Sequence, residues 1–399
     1  MHSKTSFPAS LQAFLPDAFK DAVHNRRHIH MNPEVGFDTH GTEAFVRAYL
    51  QPLGVTFLPA KIGVMAIIPG LDHGRIVALR ADMDALPIQE ENDVPYCSQV
   101  AGKMHACGHD GHTAMLLGAA KILCQMQDQL PCDVLLIFQP AEEGPNLGGA
   151  RVMLADLKAQ GIAGKIERIY ALHLINDFET GTVCTKSGSM ASSTDEFDIT
   201  ILGRGGHAGQ PYKCIDALSI GAKVVTALES YMSRRMDPFD QAICSVGVFE
   251  AGTAKNVVAE RAHIAGTIRC QREETRAAIL QNLKRITCGI CEGFGADCKI
   301  DILHGLPVLM NDPQQAAFGA DVARSIVGES HVHTLQNPMM GAEDFAYLTE
   351  AFPGAFLWIG SANAQKGLDK QNHQPRFDFD EDALAVGIQV LCGLALCKP

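Results

Sequence analysis

The sequence predicts an α/β protein: one domain with a mixed, largely parallel sheet flanked by helices, interrupted by a smaller inserted α+β domain of four strands and two helices. Three observations predict it. Short apolar runs alternate with helix-like segments, the pattern of a sheet buried on both faces. From about residue 189 to 307 the texture changes to a run of β-like stretches broken by two helical ones. After Pro307 the α/β texture resumes, which marks the middle segment as an insertion. The expected division is 1–188 with 308–399 for the first domain and 189–307 for the second.

In chain order, the clearest strands of the first domain are RIVALRADMD (75–84), DVLLIFQPAEEG (133–144), RIYALHL (168–174) and GAFLWIGS (354–361). Each delivers polar residues at its C-terminal end: Asp82 and Asp84, Glu142 and Glu143, His173, and Ser361. Ligands of open α/β sheets bind outside the carboxyl ends of the strands, so these residues are expected to converge. TAMLLGAAKILCQM (113–126), rich in Ala, Leu and Met, reads as a buried helix ending before Pro131. Within the insertion, FDITILGRGGHAG (197–209), AICSVGVFEAG (242–252), RAHIAGTIRC (261–270) and ADCKIDIL (296–303) read as strands. DALSIGAKVVTALESYMSRR (216–235) and a stretch of about 20 residues from Glu273 read as the helices.

Composition narrows the function. The chain has 399 residues, 47% hydrophobic and 20% charged, enough for two separate cores. Lys and Arg total 33 against 45 Asp and Glu, a net charge of −12, and no long basic run tracks a phosphate backbone. Nucleic acid is therefore not an expected partner. The opening MHSKTSFPASLQAFLPDAFKD lacks the apolar core of about 7–15 residues found in a secretory signal. AVGIQVLCGLALC (385–397) is interrupted by Gln389 and is shorter than the roughly 20 residues of a membrane span. The expected location is the cytoplasm, with no membrane partner. Thirteen cysteines, odd in number and scattered, fit reduced thiols buried as small apolar groups.

The chemistry concentrates in HACGHDGH (105–112), three histidines, a cysteine and an aspartate divided by two glycines. One reading makes Cys107 a nucleophile activated by His109, which leaves Glu142, Glu143 and His173 unexplained. A second has His105, His109 and His112 satisfying backbone groups in a turn and capping the helix; His112, already within it, suits this role best. The third is a metal site built from Cys107, His109, Glu143 and His173, with His373 supplied by the late loop QNHQPRFDFDE. Mixed thiolate, imidazole and carboxylate donors suit zinc, manganese or cobalt better than calcium or magnesium. Adjacent Glu142 and Glu143 can then divide the labour, one binding metal and the other acting as a base.

At this point the sequence resembles the dinuclear-metal amidohydrolases that include hippurate hydrolases, bacterial aminoacylases and auxin-conjugate hydrolases, within the aminoacylase and glutamate-carboxypeptidase-like metallopeptidases. Nine blocks carry the resemblance in order, among them ALRADMDALPIQE (78–90), MHACGHDGHTAMLLGAAKIL (104–123), QPAEEGPNLGGARVML (139–154), GRGGHAG (203–209) and HQPRFDFDEDAL (373–384). It implies hydrolysis of the amide bond of an N-acyl amino acid or a related small conjugate, with two divalent ions per chain, Mn²⁺ or Zn²⁺ first and Co²⁺ next. Cys107 and His109 match the metal-binding pair, with Cys107 bridging the ions; Glu143, His173 and His373 match the other ligands, and Glu142 the general base. Asp84 matches the acid that orients a ligand histidine. The smaller domain takes the place of a lid and dimerisation domain. Its His207 matches the histidine that reaches the partner subunit's active site to stabilise an oxyanion, and Asn256 and Arg269 match positions that contact the substrate carboxylate. A homodimer is the expected assembly. The rivals are a dipeptidase or aminopeptidase of the same group, and a relative that binds metal or amide without turnover. Gly209, Gln210, Pro211 and Tyr212 depart from the pattern after the lid histidine, as does FDTHGTE in the first block, which bears on substrate preference rather than on reaction type.

Overall fold

All seven residues of Ile76–Asp82 are buried, as are all seven of Asp133–Gln139. Strands of this composition need neighbours at both edges and cover on both faces, and the computed structural model, which describes residues 9–144 and 148–398, supplies them. The chain divides into two compact units. The first runs to Met190 and resumes over Met310–Asn337 and from Asp344 onward; the second comprises Ala191–Leu309 and Pro338–Glu343.

The first unit holds an eight-stranded sheet of β1 (Thr56–Leu58), β2 (Val64–Ile68), β3 (Ile76–Asp82), β4 (Asp133–Gln139), β5 (Ile166–Glu179), β6 (Val183–Thr185), β7 (Val332–Thr334) and β8 (Gly354–Ala362). Their spatial order is β1-β2-β4-β3-β5-β8-β6-β7. The four central strands β4, β3, β5 and β8 are parallel, whereas β1 with β2, β2 with β4, and β8 with β6 pair antiparallel. The sheet is thus mixed and largely parallel at its centre, as the sequence predicts. β5 runs on past Leu174 to Glu179, so His173 lies within the strand beside Trp358 of β8 rather than at its end.

Helices Ala9–Met31, His109–Gln125 and Asp382–Leu396 pack on one another over the sheet. Their closeness depends on missing side chains: a Cβ on Gly387 would stand 1.9 Å from Met115 Sδ. No helix among the described residues is long and apolar enough to cross a membrane.

The second unit pairs Ala242–Ala251, Arg261–Cys270, Ser193–Leu202 and Asp297–His304, in that spatial order, as an antiparallel sheet. Burial alternates along Ser193–Leu202, and Phe197, Ile199 and Ile201 pack against helices Ala217–Arg234 and Glu273–Gly293. Asp216 caps the first of these helices by accepting from the N–H groups of Leu218 and Ser219. Four strands and two helices are the predicted content.

One buried cation ties the first unit together beneath the HACGHDGH stretch. Arg26, fully buried, donates to Asp110 at 2.8 Å and to Asp378 at 2.5 Å, and its guanidinium lies between the rings of Tyr96 and Phe379. Removing the cation would leave Asp110 with its contact to His30, and Asp378 with the Tyr96 hydroxyl and Phe379 N–H, as buried carboxylates short of a guanidinium. Arg26→Met should therefore cost about 3–5 kcal/mol of stability, read from the midpoint and slope of urea unfolding.

Candidate metal centre

The site begins where β3 leaves the sheet. Asp84, fully buried two residues beyond that strand, accepts the backbone N–H of Glu142 through Oδ1 at 2.9 Å and that of Glu143 through Oδ2 at 3.0 Å. The turn it holds is strained, because Ala141 sits at φ +57°, a left-handed conformation that costs an L-residue about 1–2 kcal/mol. Two charge-assisted hydrogen bonds offset that cost and set the two glutamates side by side.

Both glycines of HACGHDGH have a steric reason. Gly108 starts the helix at φ +89°, and a Cβ on Gly111 would come within 2.4 Å of Leu174 and 2.7 Å of Phe379. The helix therefore begins at His109 and its first turn lies against β5. His109 is wholly buried and neither ring nitrogen has a hydrogen-bond partner; Asp84 Oδ1 stands 3.4 Å from Nδ1 and Asp82 Oδ2 3.9 Å from Nε2. His112 is fully engaged instead. Its Nε2 accepts the Leu174 N–H at 2.8 Å, so Nδ1 carries the proton and donates to Asp82 at 2.5 Å. That leaves His112 no lone pair for a ligand. His105 is buried without partners, and burial pulls its pKa down to about 3, so it is neutral.

His173 donates from Nδ1 to the Leu174 carbonyl at 2.7 Å, which leaves the Nε2 lone pair 3.4 Å from Cys107 Sγ. From the late loop, His373 at φ +67° donates its backbone N–H to Ala106 O at 2.7 Å. Its Nε2 lies 3.3 Å from Cys107 Sγ and 2.8 Å from Glu143 Oε1. Neighbouring Asn372 donates from Nδ2 to the carbonyls of Cys107 at 3.2 Å and Leu174 at 3.3 Å, joining the loop to both segments.

Donor atoms of Cys107, His109 and His173 lie within 4.8 Å of one another, and so do those of Cys107, Glu143 and His373; the Cys107 sulfur belongs to both sets. A third such set is His109 with Glu142 and Glu143. The site's field favours a cation. Burial opposes the His109 imidazolium, yet Asp82 and Asp84 raise its pKa well above the ordinary value. Hydrogen bonds to Cys107 and Glu143 push His373 up to about 10. A divalent ion among these donors would take the place of such protons. The unpartnered nitrogens of His109 and the soft and hard donors around Cys107 fit a transition metal or zinc. Burial and the Glu143 carboxylate push the Cys107 thiol up, the reverse of what a cysteine nucleophile needs.

Seven predicted positions, Asp84, Cys107, His109, Glu142, Glu143, His173 and His373, thus fall in one place. The other three lie in the second unit. His207 is exposed on a two-residue strand opposite Val257, and Ala208 donates its N–H to Asn256 O at 3.1 Å, which puts Asn256 beside it. Arg269 is half-buried in Arg261–Cys270. Ser361 instead donates to Asn176 at 2.8 Å. Sequence reasoning gave no role to Asp82 or Asn372. Asp82 had a signal, its place at a strand end, but Asn372 had none beyond lying next to His373.

Clustered thiolate, imidazole and carboxylate groups beside the parallel centre of a mixed sheet, in a chain with an α+β unit inserted, are the arrangement of a metallohydrolase. Residues 78–396 match the peptidase family M20/M25/M40, and the chain belongs to that family. It is 36% identical to N-acetylcysteine deacetylase of Bacillus subtilis over 94% of this chain and 96% of that protein. It is 42% identical to N-acyl-L-amino acid amidohydrolase of Geobacillus stearothermophilus over 77% of this chain and 82% of that protein. Among solved structures, the Bacillus subtilis YXEP protein, described as a dinuclear metal-binding peptidase of the M20 family, superimposes with a TM-score of 0.81. The two are 32% identical, over 96% of this chain and 98% of that one.

The His112 bridge can be tested apart from any metal. In chelator-stripped protein, His112→Phe leaves the buried Leu174 N–H unpaired and takes one of two donors from Asp82, which keeps Arg80, and should lower stability by about 3 kcal/mol in urea unfolding.

Proposed function

We propose that the protein is a metal-dependent amidohydrolase that splits N-acyl amino acids, or related small conjugates, into a carboxylic acid and an amino acid. The observation that carries this reading is the Cys107 sulfur shared by two donor sets. The names of the relatives, a deacetylase of N-acetylcysteine and an amidohydrolase of N-acyl-L-amino acids, support the substrate class. Cys107, His109 and His173 would hold one divalent ion, and Cys107, Glu143 and His373 a second. Mn²⁺ or Zn²⁺ suits these donors best, and Co²⁺ also suits them. When bound, such ions supply Lewis-acid activation of water and of the amide carbonyl.

The chain's own groups do the rest. Glu142 lies next to Glu143 on the turn held by Asp84, so it remains as a base that takes the proton of the attacking water and returns it to the leaving amine. Asp84, through its approach to His109 Nδ1, sets that ring's orientation. His207 accepts the Gly209 N–H at Nδ1 over 2.9 Å, which puts its proton on Nε2, the donor an oxyanion requires. Asn256, beside His207, and Arg269 are assigned to the substrate carboxylate.

The second unit is assigned the part of lid and dimerisation domain in a cytoplasmic homodimer. Its outer strand Ala242–Ala251, exposed at Ile243, Val248 and Phe249, supports a pairing surface of that kind.

Glu142→Gln should keep two ions per chain by atomic absorption while release of amino acid from N-acetyl, N-benzoyl and indole-acyl substrates falls about 10²–10⁴-fold. Near-normal turnover would remove Glu142 from its role. Chelation should abolish activity in the parent chain, and Mn²⁺, Zn²⁺ or Co²⁺ should restore it. Cleavage restricted to dipeptides with a free amine would overturn the acyl substrate while leaving the metal reading intact.

A further inference from the structure

Three of the thirteen cysteines are not scattered. Cys288 and Cys291 form a C-x-x-C pair in the last turns of helix Glu273–Gly293, and Cys298 follows on strand Asp297–His304. The Cys298 thiol donates towards Cys288 Sγ across 3.6 Å, with Cys288 exposed, Cys298 half-buried and Cys291 buried. No group in the proposed reaction uses these residues, and all three lie in the second unit.

We propose that Cys288 and Cys298 are a redox-modification site, where a low-molecular-weight disulfide oxidises the two thiols to one intrachain disulfide. The two sulfurs already lie 3.6 Å apart, and the backbone between them is hydrogen-bonded. Ala296 donates its N–H to Cys291 O at 2.9 Å and Gly295 to Glu292 O at 3.0 Å, with Gly295 at φ +72° turning the chain. Cys298 itself pairs with Ile201 in the sheet. Helix and strand hold the two residues, and the sulfur contact must close to a bond of about 2.05 Å.

Cys291 is the wrong partner despite its spacing. Residues three apart on a helix have Cβ atoms about 5–6 Å apart, beyond the roughly 3.5–4.5 Å of a disulfide. Cys288 is the exposed sulfur and attacks first.

Its thiolate displaces one thiolate from the small disulfide and forms a mixed disulfide. The Cys298 sulfur, giving up its proton, then attacks Cys288 Sγ and expels the second small thiolate. Two protein thiols and one small disulfide become one protein disulfide and two small thiols, with two electrons passing to the reagent and both protons recovered on the released thiols. In a reducing compartment the pair stays as thiols, and it closes when the disulfide pool rises. The bond would staple the helix to strand Asp297–His304, an edge of the second unit's sheet.

The test uses the full-length, metal-loaded chain with hydroxyethyl disulfide, followed by alkylation of free thiols, proteolysis and mass spectrometry. The expected product is one peptide pair joined through Cys288 and Cys298, two hydrogen atoms lighter than the separate peptides and separated again by dithiothreitol. In Cys298→Ser the hydroxyethyl adduct should persist on Cys288, whereas Cys291→Ser should form the same cross-link as the parent. In the parent chain, a lasting adduct on Cys288, a bond from Cys288 to Cys291, or both thiols recovered alkylated would overturn the proposal. The parent-chain result stands whether or not either variant folds.

Discussion

Most of the site depends on the carboxylate of Asp84. By taking the N–H groups of Glu142 and Glu143 it converts the exit of β4 into a turn that the backbone would not otherwise adopt, with Ala141 left-handed. It also stands beside His109, so the end of one strand, the end of the next and the start of a helix are placed relative to a single planar group. The Leu174 peptide is the counterpart on the other side. Its N–H is held by His112 and its C=O by His173 and Asn372, which joins β5 to the helix and to the late loop. Rigid donors of this kind hold a metal geometry more closely than donors on free loops.

Below these donors lies a second tier of buried charge. Arg80, wholly inside the sheet, donates to Asp82 at 2.7 Å, to Gln139 at 2.9 Å and to Asp344 at 2.9 Å. Burial opposes the Asp82 anion, yet His109, His112 and Arg80 keep its pKa well below the ordinary range. Asp344 also accepts the Ala150 N–H at 2.9 Å, and a Cβ on Gly148 would strike it at 2.1 Å. Buried ion pairs are a poor source of net stability, but they join the strands that carry them. Here they fix the strands from which the donors project.

The legible parts of this protein were those whose chemistry resides in a residue type. Strand cores of Val, Ile and Leu, and Cys, His and Glu where such runs end, announce themselves without knowledge of the fold. What hid were residues defined by a distant partner. His112 is separated from the Leu174 peptide by 62 positions, and Asn372 from Cys107 by 265, so neither bond has a local pattern. The continuation of β5 past Leu174 was hidden because it follows from pairing with β8, not from periodicity. Among the cysteines read as scattered filler, the C-x-x-C spacing of Cys288 and Cys291 was open to sight in the sequence and passed over; it took the turn at Gly295 to bring Cys298 back upon Cys288.

The position of β8 has a consequence for biosynthesis. It is the last strand of its sheet in the chain, yet it lies between β5 and β6. A nascent chain emerging from the ribosome must hold that gap open, with β5 lacking a neighbour, while the whole of Ala191–Leu309 is being made. The inserted unit, with nearly all its partners at hand, can settle first; the unit whose segments flank it in the chain must wait, its unpaired strand edges exposed to self-association and to chaperones. Because His373 emerges later still, the donor set is complete only after β8 has been made.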